Sequence, residues 1–426
     1  MKKIKDKVKA LELLQQRDSN PKITCQWIAD QCGYSRKQIE RLSAERKEKD
    51  TSAILTHGNT GKKPATTASD QEIGYLEELK KTYPSITISQ FRDIYLEDVI
   101  RNKDMEADVV KYGLKERSKS WFRELFVREG WKSPADKPIR MDGSRVTTVT
   151  HSTRPPRAHM GELIQIDGTP YDWFNDGRDY VLHLAVDDAS TRVLAGYFMP
   201  EECARGYARM MKLVLENYGI PEALYSDKFS VFRSVKAGTP TQFARMMDKL
   251  GVTMIFANSS QAKGRVERYN GTAQMRLPND LIRWKIPHNY DFLNDWFNRK
   301  YRLYLNMKFS YPVKDPNDLF RPIPADFNSS KIFRAEYPRQ IRNNVFSMGN
   351  SLYTAVTSDG EVVRFNQKQS ITVYEDAITE EIYIERYGKH YTCMKVGERK
   401  RDRIYSVNNE KELQKVLNEM AEEKNK

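Results

Sequence analysis

The sequence is poor in the residues that hold small secreted domains together. It contains only four cysteines and six histidines in 426 residues. The cysteines are scattered and form no C-x-x-C pair, and the histidines show no zinc-finger spacing. This scarcity predicts a reduced, intracellular protein without disulfides or structural zinc.

Long apolar runs are also missing. No stretch approaches the roughly 18 consecutive apolar residues of a membrane-spanning helix, and the mean hydropathy is −0.73. The first residues, MKKIKDKVKALELL, are charged throughout and lack the apolar segment of a secretory signal. We therefore expect no membrane partner and a cytoplasmic location.

Positive charge is what the chain has in excess. Lysine and arginine number 71 against 58 acidic residues, which gives a net charge of +13. Such an excess favours a polyanionic partner, and nucleic acid is the commonest one. Ribosomal proteins and proteins of membrane surfaces share this balance, so composition alone leaves the partner open.

Changes in pattern along the chain predict several domains, as its length also does. Helical periodicity dominates the N-terminal third, short apolar strands alternate with helices in the middle, and alternating strands with turn signals return near the C-terminus. The predicted segments are a helical domain (1–50), a linker (51–69), a second helical domain (70–131), a basic connector (132–159), an α/β core (160–325), a small β-barrel (330–405) and a charged C-terminal helix (406–426).

The first helical domain carries a helix-turn-helix pattern. Ala29 is small, Gly33 follows four residues later, and the apolar Ile39 comes six residues after that. The small residue lets two helices cross closely, and the glycine permits the turn. The second helix, capped by Ser35, would present its exposed side chains to a DNA groove, namely Arg36, Lys37, Gln38 and Arg41. A helical hairpin without a ligand is the alternative.

The second helical domain ends in SKSWFRELFVREGW, which resembles the first motif with looser spacing. Ser118 is the expected N-cap, and Gly130 is expected to end the helix. Lys119 and Arg123 would then face outward as DNA contacts.

Three carboxylates occupy related places in the α/β core. Asp167 ends the run LIQID, Asp227 ends LYSD after the first long helix, and Glu267 lies in the first turn of the last core helix. If the first and fourth strands are neighbours, the two aspartates meet at one sheet edge, beside the helix that carries Glu267. Hard divalent cations prefer carboxylate oxygens, and two such ions support in-line phosphoryl transfer. Strand ends often carry acids simply as turn residues, which is the alternative for each one.

The segments QIDGTPYDWF, YSDKFSVFR, TQFARMMDKLG and ANSSQAKGRVERYNGTAQMRL resemble the DDE transposases of bacterial insertion sequences, in particular the ISNCY group. More distantly the region is similar to retroviral integrase and phage Mu transposase. The resemblance covers about 160–285 and implies an RNase H-like, integrase-type catalytic core. It assigns Asp167, Asp227 and Glu267 as catalytic acids that bind two Mg²⁺ or Mn²⁺ ions. One departure is Lys228-Phe229, where many integrase relatives carry Asn-Gly.

The resemblance also implies an activity. A transposase of this kind binds the terminal inverted repeats of its element, cleaves double-stranded DNA and transfers the freed 3′-OH to target DNA. Holding two ends requires a homo-oligomeric synaptic complex, and we expect the protein to associate with the bacterial nucleoid. Gln261, Lys263 and Arg268 flank the glutamate and are candidate DNA contacts; a solvated helix start is the alternative.

Two rival functions remain at this point. A domesticated transposase would keep the basic modules and act as a non-catalytic, sequence-specific DNA-binding regulator. A nuclease or resolvase would cut DNA without strand transfer. Other residues near the three acids have structural interpretations: turn acids for Asp172, Asp187 and Asp188, and packing aromatics for Trp173 and Tyr269.

Overall fold

The computed structural model describes residues 2–55, 67–136, 154–227, 231–232, 240–256 and 264–398. The chain divides into two compact units. One consists of Met1–Leu79 and Ala107–Leu114, and the other of Lys80–Glu106 and Lys115–Lys426. The segment predicted as a second helical domain thus contributes to both units. The predicted C-terminal helix at 406–426 lies outside the described residues.

The first unit is helical, in line with its periodicity. Its helices are α1 (Lys2–Ser19), α2 (Cys25–Cys32), α3 (Arg36–Glu48), α4 (Thr51–Leu55), most of α5 (Asp70–Thr82) and α7 (Glu106–Lys111). Helix α4 corrects the prediction of a linker that starts at 51. The reason is Ile54, which is buried in the apolar cluster of α1, α2 and α3 and holds this turn against them.

Helices α2 and α3 are joined by a tight turn. Gly33 has a φ of 68°, in the left-handed region where glycine avoids the strain that other residues incur. The Ser35 side chain accepts a hydrogen bond from the Gln38 N–H, and the Gln38 side chain accepts one from the Ser35 N–H. This reciprocal pair is a capping box, which fixes the start of α3. Ala29 and Ile39 are fully buried between the helices.

The second unit begins with two helices that pack through aromatic rings. Helix α6 (Ile88–Ile94) continues as a π-helical turn (Tyr95–Ile100), and α8 (Lys119–Arg128) follows. The Phe91 ring meets Phe122 and Phe126 edge to face, with centroids 5.7 and 5.5 Å apart. Ser118 caps α8 by accepting from the Trp121 N–H, as its sequence predicts.

The central sheet has five strands in the order β3-β2-β1-β4-β5. The predicted alternation of strands and helices is confirmed. The elements are β1 (Ile164–Tyr171), β2 (Tyr180–Asp187), β3 (Val193–Met199), α9 (Ala204–Tyr218), β4 (Ala223–Ser226), α10 (Gln242–Lys249), β5 (Thr253–Phe256) and α11 (Gly264–Arg283). Strands β1, β2 and β3 are antiparallel, whereas β1, β4 and β5 run parallel.

Helices cover both faces of this sheet. On one face Ile164 and Ile166 of β1 pack with α9 and α10. On the other face Leu182 and Leu184 of β2 pack with α11, α12 (Tyr290–Trp296), a π-helical turn (Phe297–Tyr301) and α13 (Arg302–Phe309). Alternate residues of each strand therefore point to different helix layers.

A second sheet follows a short helix α14 (Ser329–Ile332). Its six strands, in the order β6-β9-β10-β11-β8-β7, form a nearly closed, barrel-like sheet. They are β6 (Arg334–Gln340), β7 (Val345–Met348), β8 (Ser351–Ala355), β9 (Ser370–Asp376), β10 (Ile382–Arg386) and β11 (Lys389–Glu398). The alternating segment GEVVRFN (360–366), which reads as one of the strands expected near the C-terminus, is not a strand: it makes only one isolated bridge, Val356 to Val362.

Among the described residues, no helix combines the length and the apolar character that crossing a membrane requires.

Candidate active site

Asp167, in the middle of β1, and Asp227, the residue after β4, occupy equivalent positions relative to the pairing of these neighbouring strands. In the parallel pairing of β1 with β4, Gln165 lies opposite Tyr225. Each aspartate follows two residues later, so the register places them side by side, and the alternation of side chains directs both toward the same face. Both are half-buried. The predicted adjacency of the first and fourth strands is confirmed.

Helix α11 packs against this edge through polar side chains. The Asn270 Nδ2 atom donates to Asp167 Oδ2 at 2.8 Å, and Gln274 Nε2 donates to Thr169 Oγ1 at 2.9 Å. Glu267 precedes Asn270 by three residues and so lies on the same side of the helix. Its side chain is exposed. The structure thus brings the helix turn of Glu267 beside Asp167, with the carboxylate at the surface.

The described residues contain no group of three His, Cys, Asp or Glu side chains arranged to hold a metal ion. One buried oxygen nevertheless lacks a partner next to the aspartates: Asn270 Oδ1 makes no hydrogen bond, although Asn270 is only 6% exposed. An unpaired buried acceptor is costly. Amide and carboxylate oxygens are the ligands that Mg²⁺ and Mn²⁺ prefer. Asp167, Asp227 and Asn270 therefore form a donor set suited to a hard divalent cation.

A fourth acid near the aspartates was not predicted from sequence. A Cβ on Gly168, the residue after Asp167, would lie 2.8 Å from Glu202 Cδ and 2.8 Å from the Tyr207 hydroxyl. That hydroxyl donates to Glu202 Oε1 at 2.6 Å. Burial raises the pKa of Tyr207 well above its usual value, and the carboxylates of Glu202, Asp167 and Asp227 act in the same direction. Tyr207 therefore stays a neutral donor beside these carboxylates.

His183 holds the loop that carries Glu202. Its Nε2 atom accepts from the Cys203 N–H at 3.3 Å, and its Nδ1 atom lies 3.1 Å from the Tyr197 carbonyl oxygen. Burial lowers the pKa of His183 to about 4, so the ring is neutral at physiological pH. Nε2 can accept only if Nδ1 carries the proton, which it donates to Tyr197.

The neighbouring acids have structural partners. Asp187 accepts from the backbone N–H groups of Gly161 and Ser190 and from the Ser190 hydroxyl. Asp172 accepts from the N–H groups of the turn at 176–177. These contacts agree with the turn roles predicted for both acids.

The two aromatics near the site are packing residues, as predicted. Trp173 is fully buried and donates to the Tyr180 carbonyl oxygen at 2.7 Å. Tyr269 is 7% exposed within the apolar cluster under α11, and burial raises the pKa of its hydroxyl.

The candidate DNA contacts on α3 are all exposed, but three of the four side chains already interact with neighbouring residues of the helix. Arg36 pairs with Glu40 at 2.8 Å, and Arg41 lies 3.6 Å from Glu45. The Gln38 side chain takes part in the capping box. Exposed pairs of this kind are weak and yield readily to a phosphate.

The candidate contacts on α8 share a concave surface. Lys119 and Arg123 are exposed and line a cavity of about 660 Å³, together with Thr87 and Trp131. Arg268 is exposed one residue after Glu267. Gln261 and Lys263 lie outside the described residues.

Comparison with known proteins identifies the family. No family model matches this chain. The transposase for insertion sequence IS1202 of Streptococcus pneumoniae is 30% identical over 402 residues, which cover 89% of this chain and 83% of that protein. The chain belongs to the insertion-sequence transposases. The resemblance inferred from its motifs is thereby confirmed.

Two further similarities accompany this match. The putative transposase y4bF of Sinorhizobium fredii is 34% identical over 237 residues, covering 50% of this transposase and 51% of its relative. Among solved structures, the HTLV-2 integrase catalytic core domain in complex with magnesium aligns with a TM-score of 0.27 and 19% identity. That alignment covers 33% of this transposase and 85% of the integrase chain.

Proposed function

We propose that this transposase is a DDE-type enzyme of the ISNCY group, with an RNase H-like core. It binds the terminal inverted repeats of its element and catalyses divalent-metal-dependent DNA cleavage and strand transfer. The observation that carries the proposal is the placement of Asp167 and Asp227 at equivalent positions of adjacent parallel strands, under the helix that bears Glu267.

The donor set fits Mg²⁺ or Mn²⁺. Asp167 and Asp227 would hold the two metal ions that the reaction needs, and Glu267 would join them when the ions bind. Only its exposed side chain has to rotate, since Asn270 already fixes its helix against Asp167. Catalytic contacts are often incomplete before substrate binds. When present, such ions activate the nucleophile and stabilise the leaving oxygen of an in-line displacement.

The residues of this chain perform the remaining tasks. Asn270 orients Asp167 by donating to one of its oxygens. Tyr207 holds Glu202 against Gly168, the residue after Asp167. No side chain acts as a covalent nucleophile, because an activated water and then the freed 3′-OH attack phosphorus directly.

The DNA-binding surfaces are part of the same proposal. Helices α2 and α3 would form a helix-turn-helix that reads element ends through Arg36, Lys37, Gln38 and Arg41. Helix α8 would bind phosphates through Lys119 and Arg123, with Gln261, Lys263 and Arg268 near the cleavage site. The predicted domains, with the linker beginning after α4 rather than at 51, belong to the same proposal. So do a homo-oligomeric complex that holds two DNA ends and association with the nucleoid.

The decisive experiment compares single variants on duplex DNA that carries the element ends. Asp167→Asn, Asp227→Asn and Glu267→Gln should each abolish Mg²⁺- and Mn²⁺-dependent nicking and leave end binding in a mobility-shift assay intact. Asp172→Asn is the matched control, because its acid serves a turn; it should cut normally. A pre-cut end with a free 3′-OH should be joined to target DNA by the wild type.

Each alternative has its own outcome. Wild-type protein that binds ends but never nicks with any divalent ion would indicate the DNA-binding regulator. Nicking without joined products would indicate a nuclease or resolvase. A normal cleavage rate in one of the three variants would remove that acid from the site.

A further inference from the structure

Asp188, which follows strand β2, is a buried acid whose partners come from three distant segments. Its side chain is fully buried. Its Oδ1 atom accepts from Gln165 Nε2 at 2.7 Å, from Arg265 Nη1 at 2.8 Å and from Arg154 Nη2 at 2.6 Å. Its Oδ2 atom accepts from the Arg157 N–H at 2.9 Å. Its neighbour Asp187 is held by Ser190 of the same turn and by the Gly161 N–H, whereas Asp188 is held by side chains of β1, α11 and the connector.

Two of these partners lie next to the proposed catalytic acids. Gln165 precedes Asp167 by two residues on β1, and Arg265 precedes Glu267 by two residues on α11. Gln165 closes the connection, because its Oε1 atom accepts from the Val266 N–H at 3.1 Å. The first turn of α11 is thus attached to β1 by one direct hydrogen bond and, through the Asp188 carboxylate, by a second route.

The third partner links the connector before the core to the same point. Arg154 pairs with Asp188, and its carbonyl oxygen accepts from Arg265 Nη2 at 3.2 Å. Arg265 therefore bridges the acid and the connector backbone. Loss of the Asp188 charge would leave two guanidinium groups without their shared partner, in a place where Arg265 is only 16% exposed.

We propose that Asp188 is a positioning residue that sets the start of α11, and with it Glu267, relative to Asp167. The proposal rests on the proposed function, since it assumes that Glu267 completes a metal site with the two aspartates. Residues that orient metal ligands without touching the metal typically change metal affinity about 10- to 100-fold when they are replaced.

The test measures Mn²⁺ binding to the full chain by calorimetry, without DNA. Asp188→Asn and Arg265→Met remove the same ion pair from its two sides, and each should weaken Mn²⁺ binding about tenfold. The double variant should be no weaker than the worse single variant, because both changes break one connection. Asp187→Asn is the matched control, equally buried and adjacent, and its Mn²⁺ affinity should equal that of the wild type.

Thermal unfolding separates positioning from general damage. Asp187→Asn and Asp188→Asn should both lower the unfolding temperature, and only Asp188→Asn should also lose Mn²⁺ affinity. If Asp188→Asn fails to fold, Arg265→Met carries the test, because its side chain reaches the surface.

The outcomes distinguish a failure of this proposal from a failure of the proposed function on which it rests. Wild-type Mn²⁺ affinity in Asp188→Asn or Arg265→Met, with weakened binding in Glu267→Gln, would overturn the role of Asp188 and leave the metal site in place. Unchanged affinity in Glu267→Gln as well would instead overturn the assignment of Glu267. Equal weakening in Asp187→Asn would show that the effect is unspecific.

Discussion

Replacing Gly168 by alanine tests how tightly the candidate site is packed. The added Cβ would lie 2.8 Å from both Glu202 Cδ and the Tyr207 hydroxyl, closer than real Cβ contacts allow. Gly168 lies in a regular strand, so the substitution brings no backbone strain of its own. Tyr207 is fully buried and cannot withdraw. The Glu202 carboxylate must therefore move, which stretches or breaks its 2.6 Å hydrogen bond.

The expected loss in the free energy of unfolding of Gly168→Ala has two contributions. Overpacking a filled site costs about 1 to 3 kcal/mol, and losing a hydrogen bond to a charged acceptor costs about 1.5 to 3 kcal/mol. Since breaking the bond relieves the clash, the two do not add fully, and we expect a loss of about 2 kcal/mol in the free energy of unfolding. With a dependence of about 2 kcal/mol per molar urea, the midpoint falls by roughly 1 M.

The matched control is Gly271→Ala on α11, where a new Cβ meets nothing within 4 Å. Alanine is favoured over glycine within a helix by roughly 0.5 to 1 kcal/mol, so this variant should be as stable as the wild type or more so. The assay is urea unfolding followed by tryptophan fluorescence, combined with Mg²⁺-dependent nicking. A Gly168→Ala variant with the wild-type midpoint would refute the close packing of Glu202 against β1.

Three further predictions follow from the described contacts. Arg283→Met should lower the free energy of unfolding by about 2 kcal/mol, because this buried arginine neutralises two carboxylates that are themselves partly exposed. As a control, Arg101→Met breaks an exposed ion pair and should change the free energy of unfolding by less than about 0.5 kcal/mol in the same urea assay. Burial holds the pKa of His183 at about 4, below the 6.5 of an exposed ring, so the stability that the neutral ring contributes is fully present above pH 6.5 and is lost as the pH falls from 6.5 to 4. Wild-type protein should therefore lose about 3 kcal/mol of unfolding free energy through this residue between pH 7 and pH 4, and His183→Gln should not, when urea midpoints at the two pH values are compared. Lys119→Gln and Arg123→Gln should each reduce the slope of log affinity against log salt for end DNA by about 1, and an unchanged slope would exclude the α8 surface from phosphate binding.

The order of elements in the central sheet could be predicted because its strands are short apolar runs between turn signals. Strand β1 shows this directly: Ile164 and Ile166 are fully buried, and Asp167 ends the apolar run. Strand β6, RAEYPRQ, could not be found in this way, since it is mostly polar and takes its place by pairing with β9. The segment 360–366 shows the opposite case: its apolar and polar residues alternate as in a strand, but it makes only one isolated bridge.

The aspartate pair was predictable for the same reason that the sheet was. Asp167 lies in the middle of β1 rather than at its end, as its sequence had suggested, but it still lies two residues beyond Gln165, as Asp227 lies two residues beyond Tyr225 opposite it. Asp188 and Glu202 were not predictable, because their roles depend on contacts with distant residues. Arg265 lies 77 residues from Asp188, and Glu202 is held by the Tyr207 hydroxyl in the space beside Gly168.

Helix α11 connects the proposed DNA-binding surface of α8 to the proposed catalytic residues. Its C-terminal half binds the α6 segment through directional hydrogen bonds: Gln90 Nε2 donates to the Arg276 carbonyl oxygen at 2.8 Å, and Asn279 Nδ2 donates to the Ser85 carbonyl oxygen at 2.9 Å. Helix α8 in turn packs on α6 through Phe91 and its aromatic neighbours.

Hydrogen bonds to backbone carbonyls fix the register of α6 on α11, whereas an apolar contact of the same size would tolerate sliding. If Lys119 and Arg123 of α8 bind DNA as proposed, that DNA would therefore lie at a set distance from Glu267 of α11. On this argument, Gln90→Leu should preserve end binding in a mobility-shift assay and shift the position of cleavage or lower its rate. Normal cleavage at the normal position would show that α8 and the catalytic residues act independently.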